Sequence, residues 1–245
     1  MDTLEIPTTQ TTVGELVARR PSRSRVFEKL GIDYCCGGKL PLSEACAAKG
    51  IDADTVLAIL LAAEEGTKSQ EDDWTGATLA DLANHIEQTH HAYLKRELPR
   101  LGAIVHKVAT VHGAHYPWLL ELEGIYTRFA AEMEAHMMKE DRMLFPRIRG
   151  LESGEPGPMP FTGPGVANPI RIMEHEHDSA GQSLARMREL SSEFTPPPDA
   201  CNTFCAMLDG LRELEADTHR HVHKENSILF PRAIELERHA ALNAD

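Results

Sequence analysis

The chain has 245 residues, a formal net charge of -13 and a sequence pI near 5.4. Lysine and arginine form no long basic run, so the composition argues against nucleic acid or an anionic membrane surface as a partner, because both would repel an acidic protein. The longest fully apolar run, residues 56–63, is far shorter than the roughly 20 residues of a membrane span, and residues 1–10 lack the features of a secretory signal. We therefore expect a cytoplasmic protein with one main domain and one smaller domain.

The N-terminal part, residues 1–66, is predicted to be a small helical domain, and the polar segment 67–77 is predicted to be a linker. Five cysteines are an odd number, and the adjacent pair Cys35 and Cys36 favours thiols in a reducing compartment over a disulfide scaffold. Two glycines follow the pair and allow a tight turn that would bring both sulfur atoms near the surface. There they could contact another thiol, a metal or an iron–sulfur cluster, whereas a buried cysteine pair beside a turn is the structural alternative.

Long helices are predicted within residues 78–245, because apolar residues recur there at alternating spacings of three and four, as on the buried face of a bundle helix. A segment rich in glycine and proline, residues 150–168, separates the second long helix from the third, and Pro196–Asp199 separates the third from the fourth. Pro99 predicts a kink in the first. The pattern indicates an all-α protein in which a four-helix bundle follows a small helical domain.

One motif occurs twice in the predicted bundle. Residues 136–147 and residues 221–232 share the form H-x-x-K-E-x-x-x-L-F-P-R, which indicates an internal duplication. Residues four apart lie on the same face of an α-helix, so each H-x-x-x-E aims an imidazole and a carboxylate at one place. In both copies this pair falls on the apolar stripe of its helix. The predicted inward-facing residues are His136, Glu140, His221 and Glu225.

Each of the other two helices supplies a further histidine. In the third helix His177 shares the apolar stripe, whereas His175 falls off it. In the first helix the apolar pattern before the histidines extrapolates to His90, and the pattern after them extrapolates to His91. Periodicity therefore leaves both of these histidines open.

Four histidines and two glutamates in a bundle core predict a pair of metal ions. A buried carboxylate is costly unless it is paired or coordinated, and no lysine or arginine shares these stripes. With two histidines on each ion and both glutamates bridging, each ion has four protein ligands, which leaves room for an oxo or hydroxo bridge and one open position. Imidazole and carboxylate without thiolate suit iron better than a structural zinc site, although ligand type alone leaves manganese and zinc open.

Two acidic residues lie beside the predicted ligands. Glu132 is one turn before His136, and Glu176 directly precedes His177. Either could act as an additional acid near the metals or as a path for iron or protons, and charge on a solvated face is the alternative for both. The candidate functional residues besides the metal ligands are Glu132, Glu176, Cys35 and Cys36.

Several of these motifs together carry a resemblance to a known family. The segments 33–39 (Asp-Tyr-Cys-Cys-Gly-Gly-Lys), 136–140, 173–181 and 221–232 resemble the Repair of Iron Centres family, in which a Cys-Cys-Gly-Gly module is joined to a hemerythrin-like domain. The resemblance covers nearly the full length of the chain. It implies a hemerythrin-like, up-down four-helix bundle over residues 78–245.

The resemblance also implies a ligand set. The ligand of the family on the first helix precedes a Leu-Pro step by the distance at which His91 precedes Leu98, so the resemblance favours His91 over His90. Where the family commonly has a tyrosine, this chain has His90. The implied iron ligands are His91, His136, Glu140, His177, His221 and Glu225.

The resemblance implies a non-haem di-iron protein that restores iron–sulfur clusters damaged by nitric oxide or oxidants, by donating iron from a labile oxo- or hydroxo-bridged centre. Damaged iron–sulfur proteins are the implied partners, with Cys35 and Cys36 assisting at the cluster or in a homodimer contact through the N-terminal module. Oxygen-carrying hemerythrins use five histidines and two carboxylates, and a set with one imidazole fewer fits donation better than reversible carriage. The alternatives are a sensor or carrier of oxygen or nitric oxide, and a nitric oxide reductase.

Overall fold

The computed structural model describes residues 6–62, 74–154 and 165–242 of the chain. Within these ranges the regular structure is helical, with one isolated bridge between Thr12 and Pro41 and no strand. The predicted all-α class is therefore confirmed: a hemerythrin-like up-down four-helix bundle is preceded by a small helical domain. None of the described helices combines the length and the apolar character needed to cross a lipid bilayer.

The described residues fall into two compact units. The first contains the residues up to Thr78 together with His219–Arg232. The second contains Leu79–Thr218 together with the described residues after Arg232. The predicted domain limits, 1–66 and 78–245, stay a prediction, and much of the predicted linker lies in residues 63–73, outside the described residues.

Four short helices build the first unit around an apolar core. The first of them begins at Thr12, whose hydroxyl oxygen accepts a hydrogen bond from the Glu15 N–H, and the second ends at Gly31 in a left-handed conformation. Fully buried side chains of the core include Leu16, Phe27 and Leu42. The helices are α1 (Val13–Arg19), α2 (Ser24–Leu30), α3 (Leu42–Ala47) and α4 (Ala53–Ala62), with a 3-10 turn at Pro21–Arg23.

Seven further helices follow, and apolar residues from four of them form the core of the second unit. These helices are α5 (Leu79–Ile86), α6 (Ala92–His112), α7 (Trp118–Lys139), α8 (Phe145–Ser153), α9 (Ala167–Leu190), α10 (Asn202–Lys224) and α11 (Phe230–Leu242). The core lies between α6, α7, α9 and the first part of α10, and its buried side chains include Leu101, Leu122, Phe129, Leu184 and Leu211. The apolar stripes read from the sequence therefore face inward. Pro99 lies inside α6, which continues through it, and the predicted kink stays a prediction.

Three π-helical turns connect successive helices directly, without an intervening loop. They span Glu87–His91, Glu140–Leu144 and Glu225–Leu229, between α5 and α6, α7 and α8, and α10 and α11. The last two occupy the same place in the duplicated motif, directly before a Phe-Pro pair. Because proline has no N–H to donate and its ring clashes with the carbonyl four residues earlier, the α-helical pattern cannot continue unchanged through Pro146 and Pro231, and a wider turn accommodates them.

One predicted boundary is wrong. The segment 150–168 was expected to be a loop from its first residue, but α8 continues to Ser153 and ends only at Gly154, which has φ +73°. Gly150 lies inside α8, where a glycine is tolerated. Gly154 adopts the left-handed conformation that commonly ends a helix, so α8 ends there. Residues 155–164 of this segment lie outside the described residues, and α9 begins at Ala167.

Candidate metal centre

Three histidines and one glutamate meet in the core of the second unit. Nε2 of His91 lies 3.4 Å, and Nε2 of His136 lies 3.2 Å, from the same atom, Oε2 of Glu140. Nε2 of His177 lies 3.0 Å from Nε2 of His136. All four side chains are buried. One carboxylate oxygen thus lies close to histidines from two different helical segments.

The second copy of the motif repeats the local geometry in the first unit. Nε2 of His221 lies 3.0 Å from Oε1 of Glu225, and both side chains have no exposed surface. In both copies the histidine is near the end of a long α-helix and the glutamate is the first residue of a π-helical turn. The four-residue spacing therefore keeps imidazole and carboxylate together even though the helix widens at the glutamate.

A further carboxylate, Asp141, holds the outer ring nitrogen of His91. Oδ1 of Asp141 lies 2.6 Å from Nδ1 of His91, and its other oxygen accepts a hydrogen bond from Lys95 at 2.6 Å. Burial would raise the pKa of Asp141, but the hydrogen bonds from His91 and Lys95 outweigh burial and lower it. Asp141 was not predicted from the sequence, in which the only signal for it is its position directly after Glu140.

Glu176 does the same for His136. Its Oε2 lies 2.9 Å from Nδ1 of His136, and its Oε1 accepts a hydrogen bond from Lys139. Burial would raise the pKa of Glu176, yet the hydrogen bonds from His136 and Lys139 lower it overall. Glu176, a candidate acid in the sequence, thus contacts His136 directly, and its functional role stays a prediction.

These contacts fix which ring nitrogens carry protons, and this tests whether a cation fits. An ionised carboxylate can only accept, so Nδ1 of His91 and of His136 holds the proton in the neutral ring, and Nε2 presents a lone pair. Both lone pairs then face Oε2 of Glu140, which is itself an acceptor when the carboxylate is ionised. Such an arrangement is repulsive unless a cation lies between, and separations near 3 Å match two ligands that each lie about 2.1 Å from one ion. The residues present fit a metal ion.

The structure separates the two histidines that periodicity could not distinguish. His91 is the one whose Nε2 faces Glu140, whereas Nδ1 of His90 lies 3.0 Å from Oδ1 of Asp217. Both histidines are buried. Adjacent residues on a helix point about 100° apart, so the two can be buried against different neighbours.

Glu132 lies apart from this cluster. It is exposed and lines a surface groove between α7 and α9, together with Arg128, Ser179 and Gln182. Its role as a candidate functional residue stays a prediction.

The cysteine pair is placed differently from what was expected. Cys36 is partly exposed, but Cys35 is only 3 % exposed, so the expectation that both sulfur atoms lie near the surface is wrong for Cys35. The two Sγ atoms are 3.9 Å apart, and none of the five cysteines, all of which are described, forms a disulfide. The contact with Cys36, then burial and the nearby Asp33 carboxylate, raise the pKa of the Cys35 thiol.

The glycines explain this burial, because they allow close approach of backbones. A Cβ at Gly38 would lie 2.7 Å from the carbonyl oxygen of Tyr34, and a Cβ at Gly14 would lie 2.9 Å from that of Gly38. The N–H of Gly14 donates to the Gly38 carbonyl at 2.9 Å. The loop is thus packed tightly on the start of α1, which leaves Cys35 little access to solvent.

An all-α bundle that buries imidazole and carboxylate donors in this manner defines a hemerythrin-like, non-haem metal protein. Comparison with known proteins agrees: the family described as "Hemerythrin HHE cation binding domain" matches residues 82–233, and a "Domain of Unknown function (DUF542)" matches residues 9–64. The chain is 39 % identical over 223 residues to the iron-sulfur cluster repair protein YtfE of Escherichia coli O81 (strain ED1a), covering 91 % of this chain and 96 % of that protein. The proteins of the same name from E. coli SMS-3-5 and Escherichia fergusonii are each 38 % identical over the same shares.

The chain therefore belongs to the Repair of Iron Centres family, as its motifs predicted. Its cofactor is a non-haem di-iron centre, which confirms the prediction made from the histidine and glutamate pattern.

Proposed function

We propose that this protein repairs iron–sulfur clusters damaged by nitric oxide or oxidants, and that damaged iron–sulfur proteins are its targets. The observation that carries the proposal is the similarity, over 91 % of the chain, to proteins named for this repair, combined with the buried imidazole and carboxylate donors of the second unit. Bound iron supplies the material for repair. The chain itself would hold that iron on neutral imidazole nitrogens and anionic carboxylate oxygens, without a thiolate in the set.

The ligand set that we propose has six members. Glu140 contacts two histidines with one oxygen, which supports a bridging role between two ions. His136 and His177 are close enough to share one ion, and we assign His91, which lies 3.4 Å from Oε2 of Glu140, to the other ion. The duplicated motif assigns the corresponding roles in the other half by equivalence. The proposed iron ligands are His91, His136, Glu140, His177, His221 and Glu225.

The lysine–carboxylate pairs beside His91 and His136 keep the inner nitrogen of each ring in the unprotonated form that can bind a metal. Asp141 and Glu176 each hold a proton on the outer nitrogen of a ligand, so the inner nitrogen stays unprotonated and able to bind. Their side chains are 22 % and 31 % exposed, respectively, so this support lies at the solvent edge of the centre. A centre supported at its edge is suited to releasing iron.

Reactivation of an enzyme whose iron–sulfur cluster has been damaged by nitric oxide tests the proposal. We expect the purified, iron-loaded protein to restore activity and the Glu140→Leu variant to restore none, because the variant lacks a bridging carboxylate. Glu134→Leu is the matched control: it makes the same change at an exposed glutamate of α7, the helix that precedes Glu140, and should reactivate like the wild type. Equal reactivation by Glu140→Leu and Glu134→Leu would remove the di-iron centre from the mechanism.

We further propose that nitric oxide or oxygen binds at the same centre as a small ligand. Support comes from the open coordination left by six protein ligands on two ions. Gas-binding titration of the reduced protein, followed by iron analysis, separates the roles. Loss of iron on exposure to damaged clusters supports repair, whereas a stable reversible gas adduct that keeps its iron supports a sensor or carrier, and anaerobic conversion of nitric oxide supports a reductase.

A homodimer through the first unit and a cytoplasmic location complete the proposal. Three large apolar side chains of that unit, Leu40, Ile59 and Leu61, are 36–44 % exposed, which supports association there. Five cysteines without a disulfide suit a reducing compartment. Light scattering should find a dimer in the wild type and a monomer in Ile59→Glu, and a monomeric wild type would contradict the dimer.

A further inference from the structure

The loop that follows α2 brings three metal-binding side chains together, apart from the proposed di-iron ligands. Oδ1 of Asp33 lies 3.2 Å from Sγ of Cys35, and Sγ of Cys35 lies 3.9 Å from Sγ of Cys36. Ligand atoms of these three residues all lie within 4.8 Å of one another. This set has no histidine, and two of its three donors are sulfur.

Backbone hydrogen bonds hold the three side chains in this arrangement. Oδ1 of Asp33 accepts N–H donors from Cys35 at 2.9 Å and from Cys36 at 3.0 Å, and Oδ2 accepts the Gly37 N–H at 2.9 Å. The carboxylate therefore folds the chain around itself and turns both sulfur atoms toward the same side. Gly38 has no room for a Cβ beside the Tyr34 carbonyl, so the end of the loop is fixed as well. The donors are preorganised rather than assembled on binding.

We propose that Asp33, Cys35 and Cys36 form a second metal site, which binds one thiophilic divalent cation. Two sulfur donors and a carboxylate favour ferrous iron or zinc over magnesium or calcium, which prefer oxygen-only sites. On binding, two S–H bonds break, two protons leave to solvent and two sulfur–metal bonds form, so no electrons are transferred. The cation is bound by the sulfur atoms of Cys35 and Cys36 and by a carboxylate oxygen of Asp33.

The exposure of the three residues indicates a site for transfer rather than a structural one. Structural sites for such cations use four protein ligands, whereas three ligands leave an open position. Asp33 is exposed and Cys36 is partly exposed, so an ion or a cluster sulfur can reach that position, while Cys35 anchors the ion from the buried side. The identification of the cation in the cell as ferrous iron in transit rests on the proposed repair function, but the metal site itself does not.

Cobalt titration of the full-length, iron-loaded and thiol-reduced protein tests the site. Cobalt bound by thiolates has a sulfur-to-metal charge-transfer absorption, and the proposed di-iron ligands contain no sulfur, so this absorption reports only on cysteine sites. We expect one equivalent of Co²⁺ to produce it in the wild type. Cys36→Ser should lose about half of the absorption and bind at least tenfold more weakly, and Asp33→Asn should keep the absorption with affinity lowered by about tenfold. Cys35→Ser should behave like Cys36→Ser if the variant folds. Because Cys36 is partly exposed, Cys36→Ser tests the site even if replacing the buried Cys35 prevents folding.

The matched control is the double variant Cys201→Ser, Cys205→Ser. Cys201 is exposed and its Sγ lies 3.4 Å from Nε2 of His112, so it is the other place where cobalt could find a thiol beside an imidazole. We expect the double variant to keep the full absorption. No absorption in the reduced wild type, or an absorption that survives Cys36→Ser unchanged and disappears in the double variant, would overturn the proposal. Cluster repair by Glu140→Leu would instead overturn the proposed function and leave this site intact.

Discussion

At the residue scale, two of the proposed ligand histidines are each held on the outer nitrogen by a carboxylate that itself accepts a hydrogen bond from a lysine. Asp141 with Lys95 and Glu176 with Lys139 lie on different helical segments but make the same arrangement. Fixing the tautomer and the ring orientation of a ligand lowers the free energy that binding must supply for ordering. The two pairs should therefore contribute to iron retention without touching iron.

We expect Asp141→Asn and Glu176→Gln to weaken iron binding by about 10- to 100-fold each, because an amide can hold the ring in either tautomer. Competition with a chelator, followed by the iron remaining on the protein, measures the change. Glu134→Gln, which removes the same charge from an exposed position of α7, should leave retention at the wild-type value. Equal retention in Asp141→Asn and Glu134→Gln would show that the carboxylate has no positioning role.

A buried histidine in the first unit predicts an acid sensitivity. His223 is 5 % exposed, its Nδ1–H donates to the Tyr34 carbonyl at 3.4 Å, and burial lowers its pKa from 6.5 to about 4. Between these two values the unfolded chain binds a proton that the folded chain does not, so the free energy of unfolding falls as the pH falls through this window. The loss should be roughly 3 kcal/mol between pH 7 and pH 4.

The effect is isolated by comparing metal-free wild type with metal-free His223→Asn at each pH. Asparagine can still donate to the Tyr34 carbonyl but does not titrate, and the other acidic and basic groups are common to both proteins. Denaturant unfolding should show the wild type losing stability more steeply than the variant below pH 6.5 and in parallel with it above. Parallel curves throughout would mean that His223 is accessible to solvent in the folded state.

At the element scale, the π-helical turns are the part of the fold that periodicity does not predict. The apolar stripes correctly placed His136, Glu140 and His177 in a core, because burial depends on a repeat of 3.6 residues that a short turn barely disturbs. A π-helical turn adds one residue to a turn and leaves no composition signal of its own. Only the repeated Phe-Pro pair marks two of the three turns, and the sequence around Glu87–His91 does not explain the third.

The hydrogen-bond partners of the outer ring nitrogens of the buried histidines also could not be predicted from the sequence. Periodicity says that a side chain faces inward, but the partner of its second nitrogen comes from another helix and depends on the crossing of the two. Asp141 was therefore missed, and Glu176 could be named only as one of two neighbouring acids. The burial of Cys35 was missed for a related reason, since it depends on α1 packing against the loop at Gly38.

The packing at Gly38 gives a prediction for the cysteine loop. Gly38→Ala places a methyl group 2.7 Å from a backbone carbonyl, which cannot move without displacing the loop. We expect the variant to lose about 1–3 kcal/mol of stability and to expose the buried thiol. Gly76→Ala is the control in the same unit, because a Cβ there has no neighbour within 4 Å.

Thiol labelling under native conditions, together with denaturant unfolding, measures both effects. Gly38→Ala should label Cys35 faster than the wild type does, whereas Gly76→Ala should label it at the wild-type rate. An unchanged labelling rate of Cys35 in Gly38→Ala would show that the loop can accommodate a methyl group at residue 38 without exposing the thiol.

At the scale of the whole molecule, the buried acids that we propose as iron ligands should destabilise the folded protein when iron is absent. Glu140 has no exposed surface, and a carboxylate in an apolar core destabilises the folded state unless a cation or a proton compensates. The iron-free protein should therefore have a lower free energy of unfolding than the iron-bound protein. Iron, which binds the folded chain and not the unfolded one, should restore that stability by mass action.

Glu140→Leu should therefore change stability in opposite directions depending on iron. Without iron, the variant should exceed the wild type by about 1–4 kcal/mol, because an apolar side chain replaces a fully buried carboxylate. With iron, the wild type should gain stability and the variant should gain little, so the order reverses. Phe129→Ala, a fully buried residue of the same bundle core, is the control: it should cost about 3–5 kcal/mol with or without iron. Thermal or denaturant unfolding of all three proteins, each with iron and after chelation, measures the reversal. A Glu140→Leu variant that is less stable than the wild type after chelation would show that Glu140 is satisfied within the folded protein and is not held there for the metal.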